Sequence, residues 1–465
     1  MMLNMRLTDA AVRFGGTLVN PDCVFSAVSI DSRTTNEGDL FIAVSGERFD
    51  AHSFIPSVAH KIAGAVVSTL DSSLEIPQWV VKDTVQALGD LARLRRDSFG
   101  GQVIAVTGSS GKTSVKEMIA AILRERVRVH ATKGNLNNHI GVPLTLLEID
   151  DQCDIAVIEM GASAAGEITY LCSLAQPDIA LINNIQRAHI SGFGSIEAIA
   201  EAKSEIFGGL KPSGIAILNL DEIYAKQWLE LIGERQHISF SVEDSSADVF
   251  AKDIKELGNG CYGFILCVGE LAGISAVEQL IELHQPGIHT LRNALAAAAC
   301  SLAAGASVIQ ITKGLVKVKP VSGRLEPKVT DDDVLVIDDT YNANPDSFKA
   351  AIDVLADMSG YRCLVMGDMG ELGADERLLH QQVGEYAKRA KLDDIYTLGT
   401  LSESAAIAFG GYHFKDKNLL IETLKEKISV IKSNKEEVTI LVKGSRSARM
   451  DKIVERLVSG DRNSC

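Results

Sequence analysis

No Cys-x-x-Cys pair occurs among the eight cysteines, at positions 23, 153, 172, 261, 267, 300, 363 and 465. That absence removes the usual spacing of dithiol redox sites and zinc clips. Several of the cysteines sit inside apolar runs and read as reduced, buried small hydrophobes. Cationic excess is missing as well. With 46 Lys+Arg against 61 Asp+Glu, the formal charge is -15, which argues against general nucleic-acid binding. There is no long apolar run: the most apolar window, 294–309, is alanine-rich, short and preceded by Arg292, so no membrane span is expected. The opening Met1-Met2-Leu3-Asn4-Met5-Arg6 lacks the apolar core of a secretory signal, and a cytoplasmic location is the expectation. Internal repeats and low-complexity segments are absent too. What remains, 46% hydrophobic and 23% charged residues, is the balance of a soluble globular protein. A chain of 465 residues suggests about three domains.

The chain divides into three α/β regions. The first, 1–84, has strand-like runs at Val24–Ile30, Leu40–Val44 and Ala63–Val67, separated by polar turns, and reads as a small α/β binding module. The second, 85–317, alternates short apolar strands with helices, at 154–158, 178–182 and 215–218 among others. That is the rhythm of a mostly parallel sheet, whose ligands gather beyond the carboxyl ends of the strands. Glu159, Asn183 and Asn184 stand at those ends, with His189 a little further on. Residues 235–275 are expected as short antiparallel strands with a Gly-Asn-Gly turn at 258–260. A helix is expected over Thr290–Ala303. The third region, 318–465, repeats the rhythm with strands at 334–337, 363–366, 394–398 and 438–442. Pro345 suits a first helical position, and Phe348, Ala351, Ile352 and Leu355 form the helical stripe behind it. This unit has no glycine-rich phosphate loop of its own.

The most informative segment is Val103-Ile104-Ala105-Val106-Thr107-Gly108-Ser109-Ser110-Gly111-Lys112-Thr113-Ser114, an apolar strand running into a glycine turn. Val115, Met118, Ile119 and Ile122 follow at i, i+3, i+4 and i+7, one face of a helix. Strand, glycine loop and helix N-terminus together make a phosphate cradle, because backbone N–H groups and the helix dipole point at anionic oxygens. Lys112 can reach terminal phosphates and Thr113 can bind Mg²⁺. The spacing is short: position 106, where the common pattern has glycine, is valine.

These motifs resemble the Mur ligase family of ATP-dependent amide-forming enzymes, along almost the whole chain. Thr107–Thr113 resembles that family's short phosphate loop. Gly134-Asn135-Leu136-Asn137-Asn138 with Gly141-Val142-Pro143, Ile158-Glu159-Met160-Gly161, Ala188-His189 and Ala202-Lys203-Ser204-Glu205-Ile206-Phe207 resemble its further site segments. Asp338-Asp339-Thr340-Tyr341-Asn342-Ala343-Asn344-Pro345 and Lys443-Gly444-Ser445-Arg446 are similar to the member that adds a dipeptide. The Asp-Asn-Pro-Arg tetrapeptide of the diaminopimelate- or lysine-adding sibling does not occur.

The resemblance implies three domains: a small N-terminal UDP-binding α/β domain, a central P-loop domain with a parallel sheet, and a C-terminal Rossmann-like domain. It implies joining D-alanyl-D-alanine to UDP-N-acetylmuramoyl-tripeptide through an acyl phosphate, in peptidoglycan precursor synthesis. ATP would contact Gly108, Ser109, Ser110, Gly111, Lys112, Thr113, Ser114, Asn293 at the adenine, Arg324 at a phosphate, Asp339 at the ribose, and Asn342 near the γ-phosphate. Two Mg²⁺ ions are implied, with Thr113 and Glu159 at one and His189 at the second. Lys203 would be carbamylated to support that second ion, and Lys112, His189 and Lys203 form the implied catalytic set. Ser32, Arg33, Ser45, Gly46, Asp50 and His52 would hold the UDP moiety. Lys443, Ser445 and Arg446, past a strand end, are placed near the dipeptide. Asp368 and Glu371 belong in the cleft without an assigned role. A monomer is the default. Other readings remain open: a sibling ligase adding one amino acid, a folylpolyglutamate-synthase-like enzyme, which lacks a UDP module, or an ATP-binding regulatory scaffold.

Overall fold

The computed structural model describes residues 5–46, 49–187, 190–271, 275–434 and 437–459. Three large sheets organise them. The first runs in the order Thr17–Val19, Gln78–Val80, Gly64–Val67, Asp39–Ile42, Ala27–Ser29, parallel except for its first pair. The single strand expected over Val24–Ile30 is two. Val24–Phe25 pairs antiparallel with Met5–Arg6, and Ala27–Ser29 joins the larger sheet. Ser26 makes the break, since its N–H (3.1 Å) and hydroxyl (3.2 Å) both donate to the Gly38 carbonyl.

Helix Thr84–Ser98, capped by Asp83 accepting from the Val85 and Gln86 N–H groups, leads into the second sheet. Its apolar residues Ala87, Leu88, Leu91 and Ala92 are buried in one cluster that contains Ile42, Val66 and Trp79 from the first sheet and Val103, Ala105 and Ile158 from the second. The hydrophobic core is therefore continuous across residue 84. The same helix buries two cations. Arg95 donates to Ile149 O at 3.1 and 2.7 Å, and Arg96 to Ala175 O at 2.6 Å and Gln176 O at 3.0 Å. Partners of this kind are what make a buried guanidinium tolerable.

The second sheet has nine strands, in the order Val277–Glu282, Cys261–Val268, Val249–Gly258, His237–Ser241, Ile215–Asn219, Ile179–Ile182, Gln102–Thr107, Ile155–Glu159, Val129–Ala131. Chain order reverses around Gln102–Thr107, whose neighbours are Ile155–Glu159 and Ile179–Ile182. A crevice opens at such a switch point, beyond the carboxyl ends of the strands.

The stretch 235–275 departs from expectation. His237–Ser241 pairs parallel with Ile215–Asn219, and Val249–Gly258 begins parallel to it before the antiparallel pairs start. Ile238–Ser241 is buried throughout, the mark of a strand covered on both faces, which parallel sheets require. The turn at 258–260 is as expected, with Asn259 (φ 50) and Gly260 (φ 66) both in the left-handed region that a two-residue hairpin turn demands. The expected helix over Thr290–Ala303 spans Ile288–Ala303.

The third sheet runs Glu326–Val329, Leu335–Asp339, Val438–Lys443, Tyr361–Gly367, Asp394–Leu398, Tyr412–Phe414, parallel except for the first pair. Register sets Asp339 beside Lys443 at the carboxyl ends of two adjacent strands. Helix Pro345–Ala356 starts at Pro345, and Asn344 and Ser347 form a reciprocal capping box.

Candidate active site

A cleft of about 870 Å³ lies between the phosphate loop and the third sheet. Ser109, Ser110, Gly111, Lys112 and Ser114 line one wall, with Asn137, Glu159 and Asn293 beside them; Arg324, Asp339, Tyr341, Asn342, Lys443, Ser445 and Arg446 line the other.

The loop is held by its neighbours. Gly108 (φ 149) and Gly111 (φ 75) supply its turns. Ser109 N–H donates to Asn184 O (2.9 Å), and Ser110 N–H to the Asn184 side chain (2.9 Å). The Asn183 side chain donates to Ser110 O (3.0 Å) and Asn293 Oδ1 (2.9 Å), joining the loop to the helix that carries Asn293. Lys112 Nζ donates to Gly108 O at 2.7 Å and Ser109 O at 3.3 Å, which keeps it curled over the loop. Burial pushes its ammonium below the usual lysine range, Arg324 adds to that, and Glu159 opposes it.

A Cβ at Gly111 would lie 2.7 Å from both Asn183 Nδ2 and Asn293 Oδ1, in a conformation L-residues avoid. Such strain costs about 1–3 kcal/mol. Gly111→Ala is accordingly expected to lower the unfolding midpoint and to lose the rise that ATP confers on the parent. Scanning fluorimetry with and without ATP measures both.

Thr113 Oγ1 donates to Glu159 Oε2 at 2.8 Å, and Asn137 Nδ2 donates to Glu159 Oε1 at 2.8 Å. Glu159 N–H is tied to Thr132 Oγ1 at 2.9 Å. A hydroxyl and a carboxylate beside a phosphate cradle are hard oxygen donors of the kind Mg²⁺ takes, together with phosphates and water, so this pair fits the ion. Among the described residues no group of three or more His, Cys, Asp and Glu could hold a metal by itself. His189, with Ala188 before it, lies outside the described residues. Lys203 does not line the cleft; it is 2% exposed on helix Ile196–Gly208. Burial, and then the charge of Lys112, push its pKa down to about 7.

On the opposite wall Lys443 Nζ pairs with Asp339 Oδ2 at 2.6 Å and donates to Asn342 O at 3.0 Å. Its side chain is buried and committed to these partners. Ser445 donates to Asp368 O at 2.7 Å. The Asp368 carboxylate accepts from the Thr400, Leu401 and Ser402 N–H groups, which lowers its pKa against its burial, so it holds a loop together. Glu371 lines the cleft, and its carbonyl accepts from Ser191 N–H at 3.3 Å.

None of the six residues expected at UDP lines the cleft. Ser45 Oγ donates to Asp50 Oδ1 (2.8 Å), and His52 Nδ1 lies 2.6 Å from the same oxygen. Ser68 N–H donates to His52 Nε2 (2.9 Å), so the ring proton is on Nδ1, facing Asp50. Gly46 N–H closes the turn on Phe49 O at 2.9 Å. Arg33, next to Ser32, is exposed and pairs with Asp31 at 2.6 Å, holding that carboxyl down to about 2. Glu47 and Arg48 of the same run lie outside the described residues.

Sequence reasoning assigned no role to Asn137, Thr132, Tyr341 or His289, all of them at or beside the cleft. Asn183 and Asn184 had carried only a positional signal, their place at a strand end. His289 lines the cleft near Asp339, Lys443 and Arg292, and desolvation there pushes its imidazole down to about 4.

Family models for the Mur ligase middle domain and the Mur ligase glutamate ligase domain match residues 106–301 and 323–446. The UDP-N-acetylmuramoyl-tripeptide--D-alanyl-D-alanine ligase of Escherichia coli is 44% identical over 98% of this chain and 99% of its own. The chain belongs to the Mur ligase family. A crystal structure of MurF from Acinetobacter baumannii superposes with TM-score 0.90 at 35% identity, over 98% of this chain and 100% of that one. The MurF ligase of Thermotoga maritima, in complex with ADP, superposes at 0.79 with 30% identity, over 93% and 96% of the two chains. The family's α/β architecture is thus shared over 93–98% of the chain.

Proposed function

We propose that the chain is an ATP-dependent ligase joining D-alanyl-D-alanine to UDP-N-acetylmuramoyl-tripeptide in peptidoglycan precursor synthesis. The observation that carries the reaction class is a cleft that unites the phosphate loop, the Thr113–Glu159 pair and the Asp339–Lys443 strand ends. Similarity over nearly the whole chain to ligases named for D-alanyl-D-alanine supports the acceptor.

Amide formation from a carboxylate requires activation. The tripeptide carboxylate attacks the γ-phosphorus of ATP and ADP leaves. The dipeptide amine then attacks the acyl phosphate carbonyl, and the tetrahedral intermediate expels phosphate. The protein's part is chiefly positioning and charge neutralisation. Lys112 and Arg324 neutralise the phosphates from opposite walls. Asn293 holds the adenine, Asp339 the ribose, and Asn342 sits near the γ-phosphate. Thr113 and Glu159 would hold Mg²⁺, which spreads the developing negative charge. His189 is assigned to a second Mg²⁺, supported by Lys203 as a carbamate. Arg446 takes the dipeptide carboxylate, a role for which Lys443 and Ser445 are less suited, being committed to Asp339 and Asp368. Ser32, Arg33, Ser45, Gly46, Asp50 and His52, within 1–84, hold the UDP moiety, while 85–317 and 318–465 share ATP. Walls from two domains exclude water as they close, which an acyl phosphate requires to survive. No helix among the described residues is long and apolar enough to cross a membrane.

The test is an acceptor screen for ADP release with UDP-muramoyl-tripeptide present. D-alanyl-D-alanine is expected to exceed D-alanine, L-lysine and glutamate in kcat/KM by about 100-fold or more, since unpaired site groups penalise the shorter acceptors. Comparable kcat/KM for a single amino acid would move the chain to a sibling activity. No amine-dependent release at all would make it a binding protein.

A further inference from the structure

Tyr341 lines the cleft and has no role in the chemistry above. Over its ring lies the Arg324 guanidinium, with Cζ 4.0 Å from the centroid, and Arg446 Cζ stands 6.0 Å from the same centroid. The two arginines come from opposite ends of the third sheet's sequence, one before its first strand and one after its last. The backbone that carries the ring is anchored. Tyr341 N–H donates to Gly323 O at 3.0 Å, and a Cβ on Gly323 (φ +70) would stand 3.3 Å from Tyr341 N.

Arg324 is held in an unusual way. Its Nε is buried and, among the described residues, has no hydrogen-bond partner. Lys443 on the same wall is neutralised by Asp339, whereas Arg324 rests on an aromatic face. A carboxylate would fix a guanidinium and also cancel its charge; a ring attracts the cation through its quadrupole and leaves the charge available. That charge reaches the opposite wall, where it helps lower the Lys112 pKa.

We propose that Tyr341 is a positioning residue: an aromatic platform that holds Arg324 toward the nucleotide phosphates and Arg446 toward the dipeptide carboxylate. The proposal rests on the ligase reading above. One ring then serves two anionic ligands, so weakening it weakens both, and leaves UDP-tripeptide binding, in a separate region, untouched.

Full-length Tyr341→Phe and Tyr341→Leu, together with a variant carrying ring-fluorinated phenylalanine at 341, separate face attraction from shape. Tyr341→Phe is expected to stay within about twofold of the parent, because the face is kept. Tyr341→Leu should raise KM for both ATP and D-alanyl-D-alanine about fivefold to tenfold, the range of one cation–π contact. Its KM for the UDP-tripeptide should not change. Fluorination withdraws charge from the ring face at nearly constant shape, so both KM values should rise with fluorine number even if Tyr341→Leu folds poorly. Calorimetric ATP affinity should follow the same order independently of turnover. A flat fluorination series overturns the platform, as does Tyr341→Phe being as impaired as Tyr341→Leu, which would point to the hydroxyl. An active parent with a flat series defeats the platform alone. A parent without amine-dependent ADP release defeats the ligase reading, while the calorimetric series still decides whether the ring holds Arg324 for phosphate.

Discussion

Lys112→Ala is expected to lower ligation by about a thousandfold or more, the scale on which a transition-state cation acts in phosphoryl transfer. Affinity for UDP-tripeptide should be unchanged. Lys112 sits at the start of helix Lys112–Leu123 with its ammonium over the loop carbonyls, 2.7 Å from Gly108 O, beside the Thr113–Glu159 pair. Among the described residues no other lysine lines the loop's wall of the cleft. Arg324 faces it from the other wall but is held by Tyr341 and cannot take its place on the loop. Of the residues assigned to UDP, Ser45, Asp50 and His52 are tied instead to one another and to Ser68. Titration calorimetry with UDP-tripeptide, run beside the ADP-release assay, tests both halves and reports that the variant is folded. A fall in affinity matching the fall in turnover would mean the substrate and the phosphate loop are not separate sites.

The second large effect is expected at Lys203. An ordinary lysine is about 0.1% neutral near pH 7.5, whereas one titrating near 7 is mostly neutral. Burial and the neighbouring Lys112 put Lys203 at about 7, and a neutral amine is what carbon dioxide requires. The sign follows directly. Because the folded-state pKa is depressed, the reactive neutral form rises from roughly a tenth at pH 6 to roughly nine-tenths at pH 8. Carbamate loading, followed by ¹³C NMR with labelled carbon dioxide, should rise across that window. Lys203→Ala is expected to lose most activity and to recover part of it in formate or acetate, small anions able to occupy the vacated position. Lys203→Arg keeps the charge, cannot be carbamylated, and should stay inactive with or without them. Near-normal turnover in Lys203→Arg would show that the residue acts as a cation.

Local pattern was a good guide wherever the physics is local. The phosphate loop, helix Pro345–Ala356 with Asn344 at its cap, and the turn at 258–260 each depend on residues within a few positions of one another. The strand at His237–Ser241 was misread because an apolar run of five residues does not disclose its partner. Pairing with Ile215–Asn219 is set by what covers its two faces. The same limit applies at the cleft. Glu159 and Lys443 could both be named from strand ends, yet only the fold shows that Lys443 is spent on Asp339 and Ser445 on Asp368, leaving Arg446 exposed.

By itself the sequence determined the repertoire: a phosphate cradle, an α/β rhythm in three regions, no dithiol or zinc-clip spacing, and family motifs along almost the whole chain. These follow from side-chain chemistry and from periods of two and 3.6 residues, which are written along the chain. The tertiary structure decided the partnerships. It joined the first sheet to the second in one core through helix Thr84–Ser98, where the sequence pattern shows only a boundary. It buried Lys203 beside Lys112, and it laid Arg324 across Tyr341. Each of these depends on distance in space between residues far apart in the chain. A buried charge's solvation and a ring's hold on a guanidinium have no counterpart in one-dimensional spacing.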